Sequence, residues 1–345
     1  MKVIVASSAV PNVRGGASLI VDSLGRALRT RGHEVEILNF PHDSRPDGLL
    51  PQYLAMRLHH LSDVADRLIS IRVPSHLLQH PEKVLWFIHH HRTAYDLWGT
   101  EYGDIPNTPY GRSLRDTIRA ADGVAFRESR SIFTNSRSVK ERLLRFNGVQ
   151  SEVLYPPLDD PERFHCDSYG DFVVYISRLA DHKRQALVID AMNYTKTPVK
   201  LVIAGEPASN GEADRLRSHI KMRGLQHTVD LRVGWLSEED KVELLSQCLA
   251  AVYCPFDEDS YGYPSLEAHQ SSKAVISTTD AGGVAELVTD SQNGYLCDPT
   301  PTALASRFDE LFEDKVKAQK MGETGLRRLS ELGIGWDSVI EGLLA

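Results

Sequence analysis

Cysteine is scarce: four residues in 345, at 166, 248, 254 and 297, with no C-x-x-C pair among them. That excludes a disulfide framework and the paired spacing of a structural zinc site, and predicts reduced thiols in a cytoplasmic chain. No apolar run reaches the ~18 residues that cross a bilayer. The opening Lys2 to Pro11 carries one positive charge and a very short apolar stretch before Asn12 and Arg14. It reads as a first β-strand rather than a cleaved leader. Short-period repeats and low-complexity tracts are missing. With 41 % hydrophobic and 25 % charged residues, the chain is neither disordered nor collagenous.

An excess of positive charge is missing too. The net charge is −8, which argues against bulk nucleic-acid binding, where a basic face must neutralise phosphates. The balance is uneven. The first 165 residues carry 21 Lys and Arg against 19 Asp and Glu, and the remainder 18 against 28. An Arg-rich first half suits an anionic acceptor or a membrane surface.

What is present is a strand–helix rhythm in two halves. Lys2–Ser7 is an apolar run for a buried strand. Ala17–Arg31 has helical periodicity and stops at Gly32, and Glu34–Leu38 alternates like a strand. Lys83–Ile88 and Arg130–Thr134 read as strands, and Ser136–Asn147 as a helix. The run Tyr155-Pro156-Pro157-Leu158-Asp159-Asp160-Pro161 suits a linker. The rhythm then resumes: strands at Asp171–Ser177, Val199–Ala204, Val229–Val233, Ala250–Pro255 and Ala274–Thr278, and helices at Arg184–Met192, Glu212–Arg223, after Ser237, and at Pro264–Ser271. Such alternation predicts parallel sheets covered on both faces, with ligands beyond the carboxyl ends of the strands. The expected domains are 1–165 and 166–330, with a C-terminal helix around 330–345 packing back on the first. The default site is the cleft between two such domains.

Five segments carry chemistry. The loop Pro11 to Gly16 ends in Gly15-Gly16, where a backbone can approach a ligand and a helix start offers free N–H groups to an anion. The plain alternative is a tight turn. Ile88-His89-His90-His91 follows a strand, and His89 is the preferred site residue because adjacent residues on an extended chain point opposite ways. Ser177 to Arg184 places Arg178 and Lys183 at a helix start, where cations are disfavoured unless an anion binds; the pair suits a diphosphate. Asp259-Ser260-Tyr261-Gly262-Tyr263-Pro264-Ser265-Leu266-Glu267 sets two carboxylates eight positions apart. Pro264 suits the first turn of a helix, which puts Glu267 where it can accept from a vicinal diol such as ribose, while Asp259 contacts a sugar. The alternative for Glu267 is compensation of the helix dipole. Asp280-Ala281-Gly282-Gly283-Val284-Ala285-Glu286 follows a strand and opens a helix, and its amides suit phosphate or sugar oxygens.

Taken in order, the Gly15-Gly16 loop, "RALRTRGHEVEIL", "SRLADHKR", "YGYPSLEA", "AGGVAELV" and Trp336 resemble the GT-B glycosyltransferases, specifically glycosyltransferase family 4. The resemblance spans nearly the whole chain. The stretches "VLWFIHHHRTAYDLW" and "SEVLYPPLDD" are similar to a bacterial subgroup acting on polysaccharide or secondary-metabolite sugars. The resemblance implies an α/β GT-B fold of two Rossmann-like domains facing a central cleft. It implies that Arg178 and Lys183 bind the donor diphosphate, that Glu267 binds the ribose, and that Tyr261 and Gly262 line the donor site. Gly15 and Gly16 approach the phosphate or transferred sugar, His89 meets the sugar near its 6-position, and the amides of Gly282, Gly283, Val284 and Ala285 line the sugar site. The family's first carboxylate is usually Glu followed by Gly-Phe-Gly. Here Asp259 precedes Ser260-Tyr261-Gly262, one methylene shorter, and the adjacent Glu258 is the alternative through a shift of register.

The implied activity is retaining transfer of a sugar from a nucleotide diphosphate sugar to the hydroxyl of a polysaccharide, glycolipid or secondary-metabolite acceptor. No cofactor and no metal are expected. The alternatives are a sugar-nucleotide epimerase of the same fold and a catalytically silent sugar-nucleotide-binding subunit. A cytoplasmic location is expected, with peripheral contact at the inner membrane face as a further possibility through Arg112, Arg115 and Arg119, which share one helix face. The bland reading of those arginines is a solvated face. The variable loops at 41–52 and 98–110 are expected to choose the acceptor.

Overall fold

The computed structural model describes residues 1–9, 16–43, 45–100 and 103–345. Two compact units divide the chain: Met1–Pro157 with Ile334–Ala345, and Leu158–Gly333.

In the first unit the order is β1 (Lys2–Ala9), α1 (Gly16–Thr30), β2 (Glu34–Pro41), α2 (Pro46–Leu58), β3 (Arg67–Ser70), β4 (Lys83–Phe87), α3 (Pro109–Arg127), β5 (Ser131–Thr134), α4 (Arg137–Asn147) and β6 (Glu152–Val153). The strands form one sheet in the order β2-β1-β3-β4-β5-β6. Every pairing is parallel. β3 and β4 are buried along their whole length, as strands in a sheet covered on both faces should be. Gly32, at φ 83°, turns the chain out of α1, a left-handed conformation that favours glycine.

The second unit holds β7 (Phe172–Ile176), α5 (Gln185–Ala191), β8 (Lys200–Gly205), α6 (Glu212–Arg223), β9 (Val229–Val233), α7 (Glu238–Gln247), β10 (Ala250–Val252), α8 (Tyr263–Gln270), β11 (Val275–Thr278), β12 (Gly294–Cys297), α9 (Pro301–Glu313) and α10 (Lys315–Glu331). Its sheet runs β12-β11-β10-β7-β8-β9, again parallel throughout. Ser237 caps α7, its hydroxyl accepting from the Asp240 amide at 3.0 Å.

The last helix, α11 (Trp336–Leu344), belongs to the first unit. Trp336 meets the Trp86 ring edge-on at 6.3 Å. The Arg67 guanidinium, buried at the start of β3, donates to the carbonyls of Leu343 and Ala345 at 3.1 Å each. A charged fork thereby satisfies the unpaired carbonyls at a helix end.

Three expectations need correction. Residues 158–165, expected in the first domain, lie in the second unit; there Arg163 faces Glu238 at 3.4 Å. The segment 41–52, expected as a loop, is partly α2. Pro46 occupies that helix's first turn, where a missing N–H costs nothing, and the helix accommodates Pro51 inside it. The segment 280–286, expected to open a helix, makes only a 3-10 turn at Gly283–Glu286.

Candidate active site

The carboxyl ends of β7, β10 and β11 lie side by side in the second sheet, and the motifs follow them. Arg184, at φ 55°, ties these ends together. Its guanidinium donates to the carbonyls of Cys254 and Pro255 at 2.8 and 2.7 Å, to the Thr278 hydroxyl, and to both oxygens of Asp280 at 2.8 Å. Its role is to brace the loops. The fork also holds the Asp280 carboxyl below the usual carboxylate range.

Lys183 ends a 3-10 turn after β7 and is buried. The Tyr175 hydroxyl donates to its carbonyl and accepts from the Cys254 amide at 3.2 Å, which fixes the backbone. The Lys183 ammonium donates to the Tyr253 hydroxyl at 2.8 Å and pairs with the Glu258 carboxylate. Tyr253 in turn donates to Glu258 at 3.2 Å. Burial pushes the Glu258 carboxyl up, but the adjacent ammonium outweighs it and holds the group low. Burial and the charge of Glu258 push the Tyr253 phenol far up, so it stays a donor. Arg178, after the same strand, is exposed and makes no ion pair among the described residues.

Gly262 shows why the motif needs glycine. Its φ is 72°, and a Cβ there would lie 2.3 Å from Cε1 of Tyr253. Tyr261 beside it is buried. Pro264 sits in the first turn of α8 and Glu267 one turn further on, buried. Glu267 pairs with the Lys241 ammonium at 2.7 Å, and Lys241 also reaches Glu238 at 2.9 Å. Burial raises the Glu267 carboxyl, with Lys241 opposing.

The loop of Asp257 to Ser260 is zipped to the loop of Asp280 to Gly283. The Asp257 amide donates to the Asp280 carbonyl at 3.0 Å, Glu258 to Ala281 at 3.3 Å, and Gly283 to Glu258 at 2.8 Å. Of the amides from Gly282 to Ala285 expected to line the sugar site, two have backbone partners within these loops. Gly283 donates to Glu258, and Ala285 to Gly282 at 3.3 Å. The glycines permit close approach of two loops: a Cβ on Gly282 would sit 2.4 Å from the Glu258 carbonyl, and one on Gly283 2.7 Å from Ser260. Asp259 is half-buried in this zipped loop, and Val284 is buried just beyond it. Asp257 and Asp259 flank Glu258 with D-x-D spacing, a motif the sequence was read as lacking. Even so, no three or more His, Cys, Asp or Glu gather as a metal site among the described residues.

In the first unit, His89 follows β4. Its Nδ1 lies 2.7 Å from the His90 carbonyl, which fixes the proton there and leaves Nε2 as an acceptor. Burial first, then the charge of Arg72, pushes His89 down to about 3. Gly16 opens α1, while Gly15 lies outside the described residues. Of the three arginines on α3, Arg115 stacks over Trp98 at 4.7 Å and Arg119 over Tyr95 at 4.9 Å. Arg112 bonds Asn107 at 2.9 Å. No helix among the described residues is long and apolar enough to cross a membrane.

Sequence reasoning missed Tyr253 and Lys241, and gave Glu258 only second place. A tyrosine or lysine on a separate element has no local signature; only the fold brings it to the motif.

Two parallel-sheet units, each with helices between its strands, define a doubly wound α/β scaffold. Residues 162–328 match the family described as Glycosyl transferases group 1. The chain is 34 % identical over 116 residues to the alpha-1,3/1,6-mannosyltransferase ALG2 of Dictyostelium discoideum; this is 34 % of the chain and spans 27 % of that enzyme's length. It is 24 % identical over 375 residues to the alpha-maltose-1-phosphate synthase of Mycolicibacterium smegmatis, covering 96 % of the chain and 94 % of that enzyme. Its fold matches sucrose-phosphate synthase from Thermosynechococcus elongatus with a TM-score of 0.79 at 16 % identity, covering 99 % and 98 % of the two chains. It matches HepE of Anabaena in complex with UDP-glucose with a TM-score of 0.72 at 17 % identity, over 99 % and 98 %. The match to the group 1 glycosyltransferases lies within the second unit, and the chain has the GT-B fold.

Proposed function

We propose that this chain transfers a sugar from a nucleotide diphosphate sugar to an acceptor hydroxyl, with retention of configuration and without a metal. The observation that carries the reading is the buried Lys183 ammonium held at a strand end beside exposed Arg178. Two cations there match a departing diphosphate, whose charge grows in the transition state. The complex of HepE with UDP-glucose supports a donor of this class.

In the proposed step the bond from the anomeric carbon to the diphosphate oxygen breaks. A bond from that carbon to the acceptor oxygen forms on the same face. The acceptor proton passes to the leaving diphosphate, so no dedicated base is needed. Arg178 and Lys183 take the diphosphate, which supplies the charge compensation that a metal provides elsewhere. Glu267 accepts from the ribose hydroxyls. The remaining roles are Asp259 toward the transferred sugar and His89, neutral at physiological pH, accepting from a sugar hydroxyl through Nε2.

Calorimetry with UDP, GDP, ADP and dTDP in EDTA tests the reading. The expected result is micromolar binding of one nucleotide, lost in Arg178→Ala and Glu267→Ala. Binding of none, with or without Mg²⁺, overturns it.

A further inference from the structure

The first unit carries a cation that the donor chemistry does not use. Arg72 lies just beyond β3, half-buried. Its Nε is buried without a hydrogen-bond partner. Its Nη1 has one long contact, 3.5 Å to the Ser8 carbonyl. Burial alone shifts it, and no carboxylate among the described residues offsets that. Other inward-facing arginines have their charge met, although Arg67 too has an unpartnered Nε. Arg67 has the C-terminal carbonyls and Glu82, Arg92 has Asp96 and Arg184 has Asp280. A guanidinium never gives up its proton in a protein. Withdrawing it from water without a counter-charge is unfavourable unless something else supplies the anion.

Its surroundings suit a hydroxylated ligand. His42 and His89 both lie within electrostatic reach of Arg72. The His42 and His91 rings meet edge-on at 6.5 Å. Nδ1 of His42 is 3.2 Å from the Gln52 amide oxygen, and Nδ1 of His89 faces the His90 carbonyl. Both imidazoles therefore keep Nε2 as an acceptor for hydroxyl groups. Asp43 acts on His42, but its carboxylate is bound to Arg45 at 2.6 Å; Asp104 acts on His91. Ser8 at the end of β1, Arg72 after β3 and His89 after β4 follow the strand order along one carboxyl edge, where ligands of parallel sheets bind.

We infer that this edge is a subsite for a sugar bearing an oxyanion, carboxylate or phosphate, with Arg72 taking the anion and His42 a hydroxyl, and with the His89 ring bordering it. Calling that ligand the acceptor rests on the proposed glycosyl transfer; the site itself does not.

The test is a titration of the full chain, ¹³C-labelled at histidine, with glucuronate, with glucose 6-phosphate and with glucose, at constant ionic strength. Saturable shifts of the His42 and His89 signals are expected with an anionic probe and not with glucose, weakening about tenfold or more in Arg72→Met and less in Arg72→Lys. A response to glucuronate alone marks a uronate-type ligand, and to glucose 6-phosphate alone a phosphorylated one. Melting separates a site from a structural strut. Arg72→Met should hold or raise the Tm without ligand, whereas a structural arginine would lower it. No saturable shift with either anion, or equal shifts in Arg72→Met, overturns the inference. Nucleotide calorimetry on the same samples reports the donor site independently. A chain that binds nucleotide but no anion loses only this inference; one that binds the anion but no nucleotide keeps the subsite and loses its role as acceptor site.

Discussion

Lys183 and Glu258 form a part-buried ion pair across 75 positions of sequence, with the Tyr253 hydroxyl bonded to both. Glu258 thus occupies the cation proposed for the donor diphosphate. An incoming diphosphate must share Lys183 with a carboxylate that repels it. Glu258→Gln keeps the shape and removes the repulsion, so the nucleotide Kd should fall about 3- to 10-fold, or ~1 kcal/mol. Lys183→Ala should weaken binding and also destabilise by about 3 kcal/mol, because it leaves a carboxylate partly buried and unpaired. Weaker nucleotide binding in Glu258→Gln would show that Glu258 positions Lys183 instead of competing for it.

The Glu267–Lys241 pair makes a second prediction, read by denaturant unfolding. Removing the ammonium alone, as in Lys241→Met, should cost about 3 kcal/mol because Glu267 stays buried. Adding Glu267→Gln should return much of that stability, since the uncompensated charge is gone. Additive effects of the two substitutions would show that the pair is not coupled.

Gly262→Ala should be severe. It forces a side chain into φ 72° and against the Tyr253 ring. A loss of ~2 kcal/mol or more is expected. Nucleotide affinity should fall with it, because Tyr253 holds Lys183. An alanine variant with unchanged melting and binding would show that the loop relaxes freely.

The pH dependence follows from buried neutral histidines. Burial pushes His89 down to about 3, and His90 and His269 to about 4. Each is held neutral in the fold, His269 with its Nδ1 3.1 Å from the Lys273 carbonyl. In the unfolded chain all three protonate near the usual imidazole value. Between about pH 6 and pH 4 the unfolded state therefore binds more protons, and stability rises with pH. Three such groups give a slope of up to ~4 kcal/mol per pH unit near pH 5. Thermal melts from pH 7 to pH 4 should show a steep fall, and a flat profile would mean that these rings are solvated.

Much of the scaffold was legible locally. Strands such as β4, apolar from Val84 to Phe87, carry apolar residues on both faces because both faces are buried, so a run of sequence announces them. Glu212–Arg223 reads as a helix because its period and Gly224 are contained in one stretch. The motifs were legible for the same reason: Gly262 and Pro264 serve a turn and a helix start that they themselves make. Helix α2 was obscured by its own prolines. The strands β3, β6 and β12, of four, two and four residues, carry too short a pattern to stand out.

Local sequence was enough for the class of fold, the strand ends where the site residues cluster, and the glycines and prolines that shape the loops. These rest on periodicity and backbone conformation, which act over a few residues. Which charges meet was settled by the assembled fold. Lys183 takes Glu258 from 75 positions away, Glu267 takes Lys241 from 26, and Arg67 takes the C-terminal carbonyls from 276. The fold also left Arg72 without a counter-charge among the described residues. Electrostatic pairing acts through space at a few ångströms, and parallel crossovers put distant segments at that range without leaving a trace in either segment alone.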